Sequence, residues 1–547
     1  MTVQRLVQVA CLALFLLLVT AASLHYSGWL PHDLFLRLDP AAALLTGLAA
    51  RAWLGAFLAA LAVLALTGLL GRFFCGYLCP LGTLIDGVDV CIRKPAAETI
   101  ELPPKWRRAK YGVLAFVATA ALAGLSLAFL VAPIPLVTRF FTLLILPLLQ
   151  QMTDMALQLA APLADRLDLT GLLYLELPLP RFHLQWLTLL IMLLVLGGGR
   201  WWARFWCRCL CPAGALMALC AWRPVVRRRV TDDCIDCGLC TRSCPTGAIG
   251  EDPRSTAHQE CVTCQTCRRV CPTGAVVFTT PKSLDNRLAR PAFSGYRRGL
   301  LLAGAGGLGT AAVTLSGARH LLGDTGTRRM IPPDLIRPPG ARPEDDFLRR
   351  CYRCGACLAA CPTNTLQPFG LASGLPGLLT PVITPQLGPC DPSCDACGLA
   401  CPTQAIRALP LTERIWAKVG TAHILRHKCL AWELDRKCLV CDEVCPYDAV
   451  VLKRVAGIKI PVPFVIENRC SGCGYCEHHC PVEAMPAIVV EPMDALRLSK
   501  GSYRQKGRSI GLTLELRRKS TRIEKGQSPA PLNEGDAGSG LPPGFSE

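Results

Sequence analysis

The side chains with the clearest chemical pattern in this chain are its 32 cysteines. From residue 234 onward they come in sets of four, and each set ends in Cys-Pro. Cys234, Cys237, Cys240, Cys244 and Cys261, Cys264, Cys267, Cys271 both read C-x2-C-x2-C-x3-C-P. Cys351, Cys354, Cys357, Cys361 repeat the spacing, and Cys390, Cys394, Cys397, Cys401 repeat it with one extra residue in the first gap. Of the last two sets, Cys470, Cys473, Cys476, Cys480 is regular. In the other, Cys438, Cys441 and Cys445 keep their gaps, but the leading thiol must be Cys429, with eight residues between it and Cys438, which implies a looped-out insertion. Three close thiols with a remote fourth suit the corners of a cube of four irons and four sulfides. A zinc ribbon would need two separated C-x2-C knuckles, and a disulfide scaffold has no use for six copies of one spacing.

This is the ligand run of bacterial-type ferredoxins, in which the fourth cysteine of each set serves the neighbouring cube. The expected ligand groups are therefore Cys234, Cys237, Cys240 with Cys271, and Cys261, Cys264, Cys267 with Cys244. In the second pair they are Cys351, Cys354, Cys357 with Cys401, and Cys390, Cys394, Cys397 with Cys361. In the third they are Cys429, Cys438, Cys441 with Cys480, and Cys470, Cys473, Cys476 with Cys445. Six 4Fe-4S clusters would result.

A second pattern lies upstream. Phe74-Cys75-Gly76-Tyr77-Leu78-Cys79-Pro80 and Trp206-Cys207-Arg208-Cys209-Leu210-Cys211-Pro212 each carry C-x3-C-P, which puts two thiols one helical turn apart before a helix-starting proline. Cys75, Cys79, Cys207 and Cys211 read as halves of one redox or metal centre. A further cluster, a disulfide, exchanging thiols and plain buried packing all remain open for them. Cys11, Cys91, Cys209 and Cys220 read as ordinary thiols.

These motifs need elements to hold them. Half of the chain (51%) is in the hydrophobic class and its mean hydropathy is positive, with bilayer-length apolar stretches near 6–24, 52–71, 111–131 and 184–199. The apolar segment at 140–150, with Pro147 and the nearby Asp154, reads as interfacial or re-entrant. Residues 71–110 carry seven Lys/Arg against four acids and 199–229 carry seven against none, whereas 133–183 carry three against four. The positive-inside rule then places both C-x3-C-P motifs on the cytoplasmic side. Arg297 and Arg298 precede about twenty weakly apolar residues, which resembles an internal twin-arginine export segment. The glycine-rich run at 304–309 belongs to that span.

The expected fold class is an α-helical membrane bundle plus α+β bacterial-type 2x(4Fe-4S) ferredoxin domains. Residues 1–229 form a four-span membrane domain, 230–280 a cytoplasmic ferredoxin, 281–296 a linker and 297–320 a fifth span. A linker at 321–350 leads to ferredoxin pairs at 351–410 and 411–490, outside the cytoplasm. The basic stretch at 497–525 and the Pro/Gly/acidic end make 491–547 read as a disordered tail.

Residues 1–280 resemble the NapH/MauN family of membrane ferredoxins: four spans, C-x3-C-P after the second and fourth, then a two-cluster ferredoxin. Residues 295–490 resemble the NapG/MauM family: a twin-arginine segment, then four cluster sets, the third opened by a widely spaced cysteine. The chain looks like a fusion of the two. The resemblance implies a bacterial inner-membrane protein that passes electrons between the quinol pool and a periplasmic oxidoreductase or cytochrome, with a possible quinol dehydrogenase role. The alternative is a redox assembly or maturation factor for a periplasmic metalloenzyme, which is the methylamine-utilisation branch.

For a quinone site the candidates are His25, His32 and His183 with Asp33 and Asp154 as proton acceptors, although histidines at span ends are commonly interfacial. His423 and His427, read as one helical turn apart, and His478 with His479 would shape cluster surroundings. There is no C-x2-C-H haem motif, no dinucleotide fingerprint between strand and helix, and no hydrolytic constellation. The formal charge of +18 suggests nucleic acid, but six oxidised cubes at about −2 each would bring it to roughly +6. Topology and ligation thus account for the basicity, and no nucleic-acid partner is expected.

Overall fold

The computed structural model describes residues 3–23, 31–52, 55–92, 103–166, 180–280, 297–315, 335–370, 374–482 and 485–517. Its first half is helical. Proline opens several of the helices, where a missing N–H costs nothing and φ is preset: Pro40–Ala50, Pro80–Ile92, Pro104–Leu122, Pro133–Phe140 and Pro212–Cys220. Two of these prolines are those of the C-x3-C-P motifs. Asp39, fully buried, accepts from the N–H groups of Ala41 and Ala42 and also from that of Ile134, so one carboxylate caps two helices. One apolar core joins these helices and runs from Phe15 and Leu18 through Leu45, Phe74 and Val137 to Met217.

Two described helices are long and apolar enough to cross a membrane, Val3–Ser23 with 21 residues and Pro133–Pro162 with 30. Leu58–Leu70 and Gln185–Arg200 are apolar but shorter, and Pro104–Leu122 and Arg297–Leu315 reach 19 residues without being among the two. The expected four-span pattern is therefore met in length and apolarity only at its first segment. The 140–150 segment, expected to be an interfacial or re-entrant piece, lies inside the long helix, which passes through a π turn at Phe141–Ile145. Pro147 falls in the first turn of Leu146–Arg166, and the wider π turn just before it leaves the chain helical. Arg297–Leu315 packs along Pro104–Leu122, with Gly307 pressed on Phe116 and Thr119, so its glycines serve as a packing seam.

Each later cysteine pair is organised by short antiparallel ladders. Arg227–Val230 pairs with Val276–Thr279, and Leu366–Pro368 with Pro381–Ile383. Thr421–Ile424 pairs with Ile488–Glu491, enclosing Val450–Lys453 and Val462–Val465. The insertion after Cys429 is a helical turn, Leu430–Glu433, whose Trp432 packs edge-on against Phe464 and donates to the Pro463 carbonyl.

The end of the chain departs from expectation. Residues 491–517 are folded: Tyr503 and Leu514 are buried, and the helix Tyr503–Ser509 is capped by Ser502, which also donates to Glu413. Arg407 lies over the Tyr503 ring at 5.2 Å. The basic residues of this stretch had hidden a packing face. Residues 335–350, expected as linker, include the helix Glu344–Arg350, whose Glu344 pairs with Arg337 and Arg497. The linker at 281–296, His25 and the last thirty residues lie outside the described residues.

Candidate iron-sulfur sites

The cysteine runs fold by a repeated backbone device. On either side of the second cysteine of a run stands a residue with positive φ: Asp236 and Gly238, Thr263 and Gln265, Arg353 and Gly355, Gly472 and Gly474. Beyond five of the six Cys-Pro pairs, the third residue after the cysteine does the same, at Gly247, Gly274, Asn364, Gln404 and Asp448. Such turns aim successive N–H groups into a concavity suited to an anion. Backbone N–H groups also donate to sulfur: Ala248 to Cys244, Ala449 to Cys445 and Ala487 to Cys480, all at 3.3 Å, and Ile406 to Cys401 at 3.5 Å.

Four cavities are lined by four cysteines each. Cys351, Cys354, Cys357 and Cys401 share one of about 400 Å³, and Cys361, Cys390, Cys394 and Cys397 one of about 340 Å³. Cys445, Cys470, Cys473 and Cys476 surround about 320 Å³, and Cys429, Cys438, Cys441 and Cys480 about 400 Å³. Each of these four cavities draws three cysteines from one run and the fourth from the neighbouring run. In the first ferredoxin, Cys261 faces Cys244, Cys264 and Cys267, while Cys240, Cys267, Cys244 and Cys271 share one small core. All of these thiols are free, and no group of three or more His, Cys, Asp or Glu among the described residues converges tightly enough for a single metal ion. Free thiols gathered in fours, without a convergent single-ion group among the described residues, fit a polynuclear cluster better than a zinc site. Burial pushes the thiols of Cys351 and Cys390 up to about 11 and those of Cys354 and Cys473 to about 12, so iron, on binding, must displace a firmly held proton.

Several partners of these sulfurs were not legible in the spacing. Arg414 is buried and donates to Cys390 Sγ at 3.1 Å and to the carbonyls of Cys394 and Asp391 at 3.0 Å, tying down the loop that holds the extra residue. Arg228 donates to Cys240 Sγ at 3.4 Å. A cation beside a sulfur of an anionic cluster favours the added electron. The only sequence signal for either is an arginine near a cysteine run in a basic chain.

The two C-x3-C-P motifs come together. Cys75, Cys79, Cys207 and Cys211 line a single cavity of about 340 Å³ with Arg72, Trp206 and Met217. All four are buried and free.

The ferredoxins meet this helical body at opposite ends of Pro104–Leu122. Near its start, Lys110 pairs with Glu260 at 2.5 Å, and Arg72 pairs with the same carboxylate at 3.1 Å. Tyr77 donates to the Thr263 carbonyl, and Gly76 is pressed on that of Val262. Beyond its other end, Gly124 lies against Arg349, Arg353 donates to the Ser126 carbonyl and covers the Phe129 ring at 4.1 Å, and Arg139 donates to the Arg353 carbonyl. From Lys110 to Gly124 is about 21 Å at helical rise.

The quinone candidates do not form one site among the described residues. Asp33 pairs with Arg37, Asp154 accepts from Gln158, and the backbone N–H of His183 donates to Gln367. His32 Nδ1 is buried without a hydrogen-bond partner among the described residues. His423 lies on a strand and His427 in a short 3-10 turn, so they are not one helical turn apart. His478 and His479 contact the backbone of Gln386 and Tyr475 through their Nδ1 atoms.

Comparison with known proteins agrees with this chemistry. A 4Fe-4S binding domain matches residues 52–96 and 183–231, which contain both C-x3-C-P motifs. A 4Fe-4S dicluster domain matches 233–275, and a second 4Fe-4S binding domain matches 463–485. The methylamine utilization ferredoxin-type protein MauM of Methylorubrum extorquens is 39% identical over 166 residues, 29% of this chain and 73% of that protein. The ferredoxin-type protein NapG of Escherichia coli is 34% identical over 228 residues, 40% of this chain and 92% of its own length. The ferredoxin-type protein NapF of the same organism is 33% identical over 153 residues, 28% of this chain and 84% of that protein.

Proposed function

The chain belongs to the family of ferredoxin-type proteins that includes MauM and NapG, and from that premise we propose that it is a membrane-anchored electron carrier between the quinol pool and a periplasmic oxidoreductase or cytochrome. In this reading the 24 cysteines of the six crossed groups hold six 4Fe-4S clusters. The helical part acts as a NapH/MauN-like membrane component, fused to an exported part. Val3–Ser23 and Pro133–Pro162 cross the bilayer together with the shorter apolar helices, and Arg297–Leu315 carries the chain outward. The first ferredoxin is then cytoplasmic and the later two are periplasmic.

The observation that carries this reading is the docking of two ferredoxin units at the two ends of one helix, through Glu260 at one end and Arg353 at the other. A soluble polyferredoxin would have no reason to clamp an apolar helical body between them.

When bound, each cluster supplies a one-electron couple with no change of covalent bonds. A quinol becoming quinone releases two electrons and two protons, so single-electron acceptors in series divide the pair. The chain's own residues set the conditions: N–H groups and buried arginines stabilise negative charge at sulfur, and the cavity walls exclude water.

The test is reduction of the purified, membrane-reconstituted protein by a menaquinol or ubiquinol analogue, read by electron paramagnetic resonance. Cluster signals should appear on the timescale of quinol turnover, and their absence would sink the quinol reading. A reporter enzyme fused after residue 318 should be active only outside the cytoplasm; activity inside would remove the two-sided topology.

A further inference from the structure

We propose that the lobe around Cys429 is a docking surface for a soluble one-electron carrier with an acidic face. The proposal rests on the electron-carrier reading above and adds the place where the chain meets its partner and the charge that partner must show.

The lobe has an insertion that cluster binding does not explain. Five of the six runs separate their first two cysteines by two or three residues, whereas eight lie between Cys429 and Cys438. Residues 433–437 of this insertion are exposed. It is nevertheless fixed in place. The Arg436 N–H donates to the Leu430 carbonyl at 3.1 Å, Trp432 Nε1 donates to the Pro463 carbonyl at 3.2 Å, and Asp435 accepts from the Lys459 backbone N–H at 3.2 Å. The last two bonds lay the insertion against the hairpin formed by Val450–Lys453 and Val462–Val465.

Cations gather where these segments meet. Residues 426–437 and 453–459 carry seven Lys/Arg against Glu433 and Asp435. Arg426, Arg436, Lys437, Lys453, Arg454 and Lys459 are exposed, and Lys428 is half-buried. A merely solvated face has its two signs interspersed, but none of these seven forms an ion pair among the described residues. The carboxylates that follow, Asp442 and Glu443, are already engaged. Aromatic faces hold two of the cations in place: the Arg426 guanidinium lies 4.4 Å from the centre of the Trp432 ring, Lys453 Nζ lies 5.4 Å from that of Phe464, and the two rings meet edge-on. A bound cluster at about −2 lowers the charge of the patch without reversing it.

The patch frames the rim of a cluster site. Cys438, Cys441 and Cys480 are half-buried, whereas at the neighbouring site only Cys473 is. Leu434 is 54% exposed and Met485 45%, with Met485 Sδ 2.8 Å from Lys428 Nζ, so apolar contact area lies among the cations. Charge steers such an encounter and apolar contact completes it. The small core of the lobe, with Cys429 and Val462, shares no residue with that of the helical body, which favours a soluble partner over a membrane surface. The first ferredoxin has the opposite sign. Its residues 232–254 carry five carboxylates against Arg242 and Arg254, so an acidic protein is repelled there. In the docked pair the reduced cluster gives up one electron and the partner's centre gains it, and no proton or bond is exchanged.

The experiment uses the full chain in detergent, reduced by dithionite, freed of excess reductant and mixed with an acidic plastocyanin by stopped flow. At low ionic strength its oxidation should be at least about tenfold faster than in high salt, and Arg436→Glu/Lys437→Glu should remove that advantage at full iron content. Carbodiimide cross-linking of the unaltered chain should join Lys428, Lys437, Lys453 or Lys459 to plastocyanin carboxylates, a readout that stands even if the variant fails to fold. A variant that reacts as fast as the unaltered chain, cross-links confined to other lysines, or phosphatidylglycerol vesicles that bind the patch while plastocyanin does not would each overturn the proposal. No quinol takes part, so failed quinol reduction beside a charge-dependent plastocyanin reaction would remove the quinol reading alone.

Discussion

Arg414 offers the sharpest test of how this chain tunes a cluster. It is 5% exposed and its guanidinium makes three contacts within 3.1 Å, one to Cys390 Sγ and two to the carbonyls of the loop that carries the extra residue. In Arg414→Gln the cation disappears while much of the side-chain volume stays. A hydrogen bond to a charged group contributes about 1.5 to 3 kcal/mol. For a one-electron couple, where about 59 mV corresponds to 1.4 kcal/mol, that converts to about 60 to 130 mV. The full Coulomb term across 3.1 Å at an effective dielectric of about 20 would be about 5 kcal/mol, an upper bound because the added electron spreads over the cube. The reduced form is the more negative one, so losing the cation must lower the potential. A potentiometric titration followed by electron paramagnetic resonance should show one couple moved downward by about 60 to 130 mV, with the rest in place. Arg414→Lys, which keeps the charge but not the planar fork, should restore part of the shift. A potential within about 20 mV of the unaltered chain at full iron content, or an upward shift, would refute the reasoning.

Three further outcomes follow from the packing. Glu260→Gln leaves Lys110 and Arg72 buried without their shared carboxylate and should weaken the first ferredoxin's docking by about 3 to 5 kcal/mol; faster proteolysis after residue 280 with unchanged iron content would register it. Gly355→Ala puts a methyl 2.7 Å from Thr142 Oγ1 at a backbone with φ of +81°, so cross-linking between the helical body and the second ferredoxin should fall, and Gly355→Ala/Thr142→Ala, which removes the clashing oxygen, should recover only part because the φ strain remains. Tyr503→Ala removes a buried ring that Arg407 covers and whose hydroxyl accepts from the Leu498 N–H. It should cost about 3 to 5 kcal/mol, seen as earlier thermal bleaching of the clusters, whereas no change would mean that residues 491–517 do not support the ferredoxin.

The grouping of the cysteines was legible because ligand spacing is a local property. A run of C-x2-C-x2-C with alternating positive φ can wrap only a small concavity, and the remote Cys-Pro must reach across to the neighbour. The pairing of the two C-x3-C-P motifs was legible as likeness, since two identical patterns at two helix starts invite a shared site. The helical interruptions were less so. The 140–150 segment carries a proline and reads as broken, yet a π turn absorbs the defect and the helix spans 30 residues in all, Pro133–Pro162. The tail was misread because 497–517 is basic, and only Tyr503, Leu512 and Leu514 reveal the face that packs.

What the sequence by itself determined is the kind of donor: runs of thiols whose spacing suits iron and sulfide better than zinc or disulfides. Only the tertiary structure decided what surrounds those thiols. Arg72 meets Glu260 across 188 residues, Arg353 meets Ser126 across 227, and Arg414 meets Cys390 across 24. No periodicity encodes such partners, because a cation's effect on a sulfur depends on distance and burial, and both are set by how separately folded segments pack.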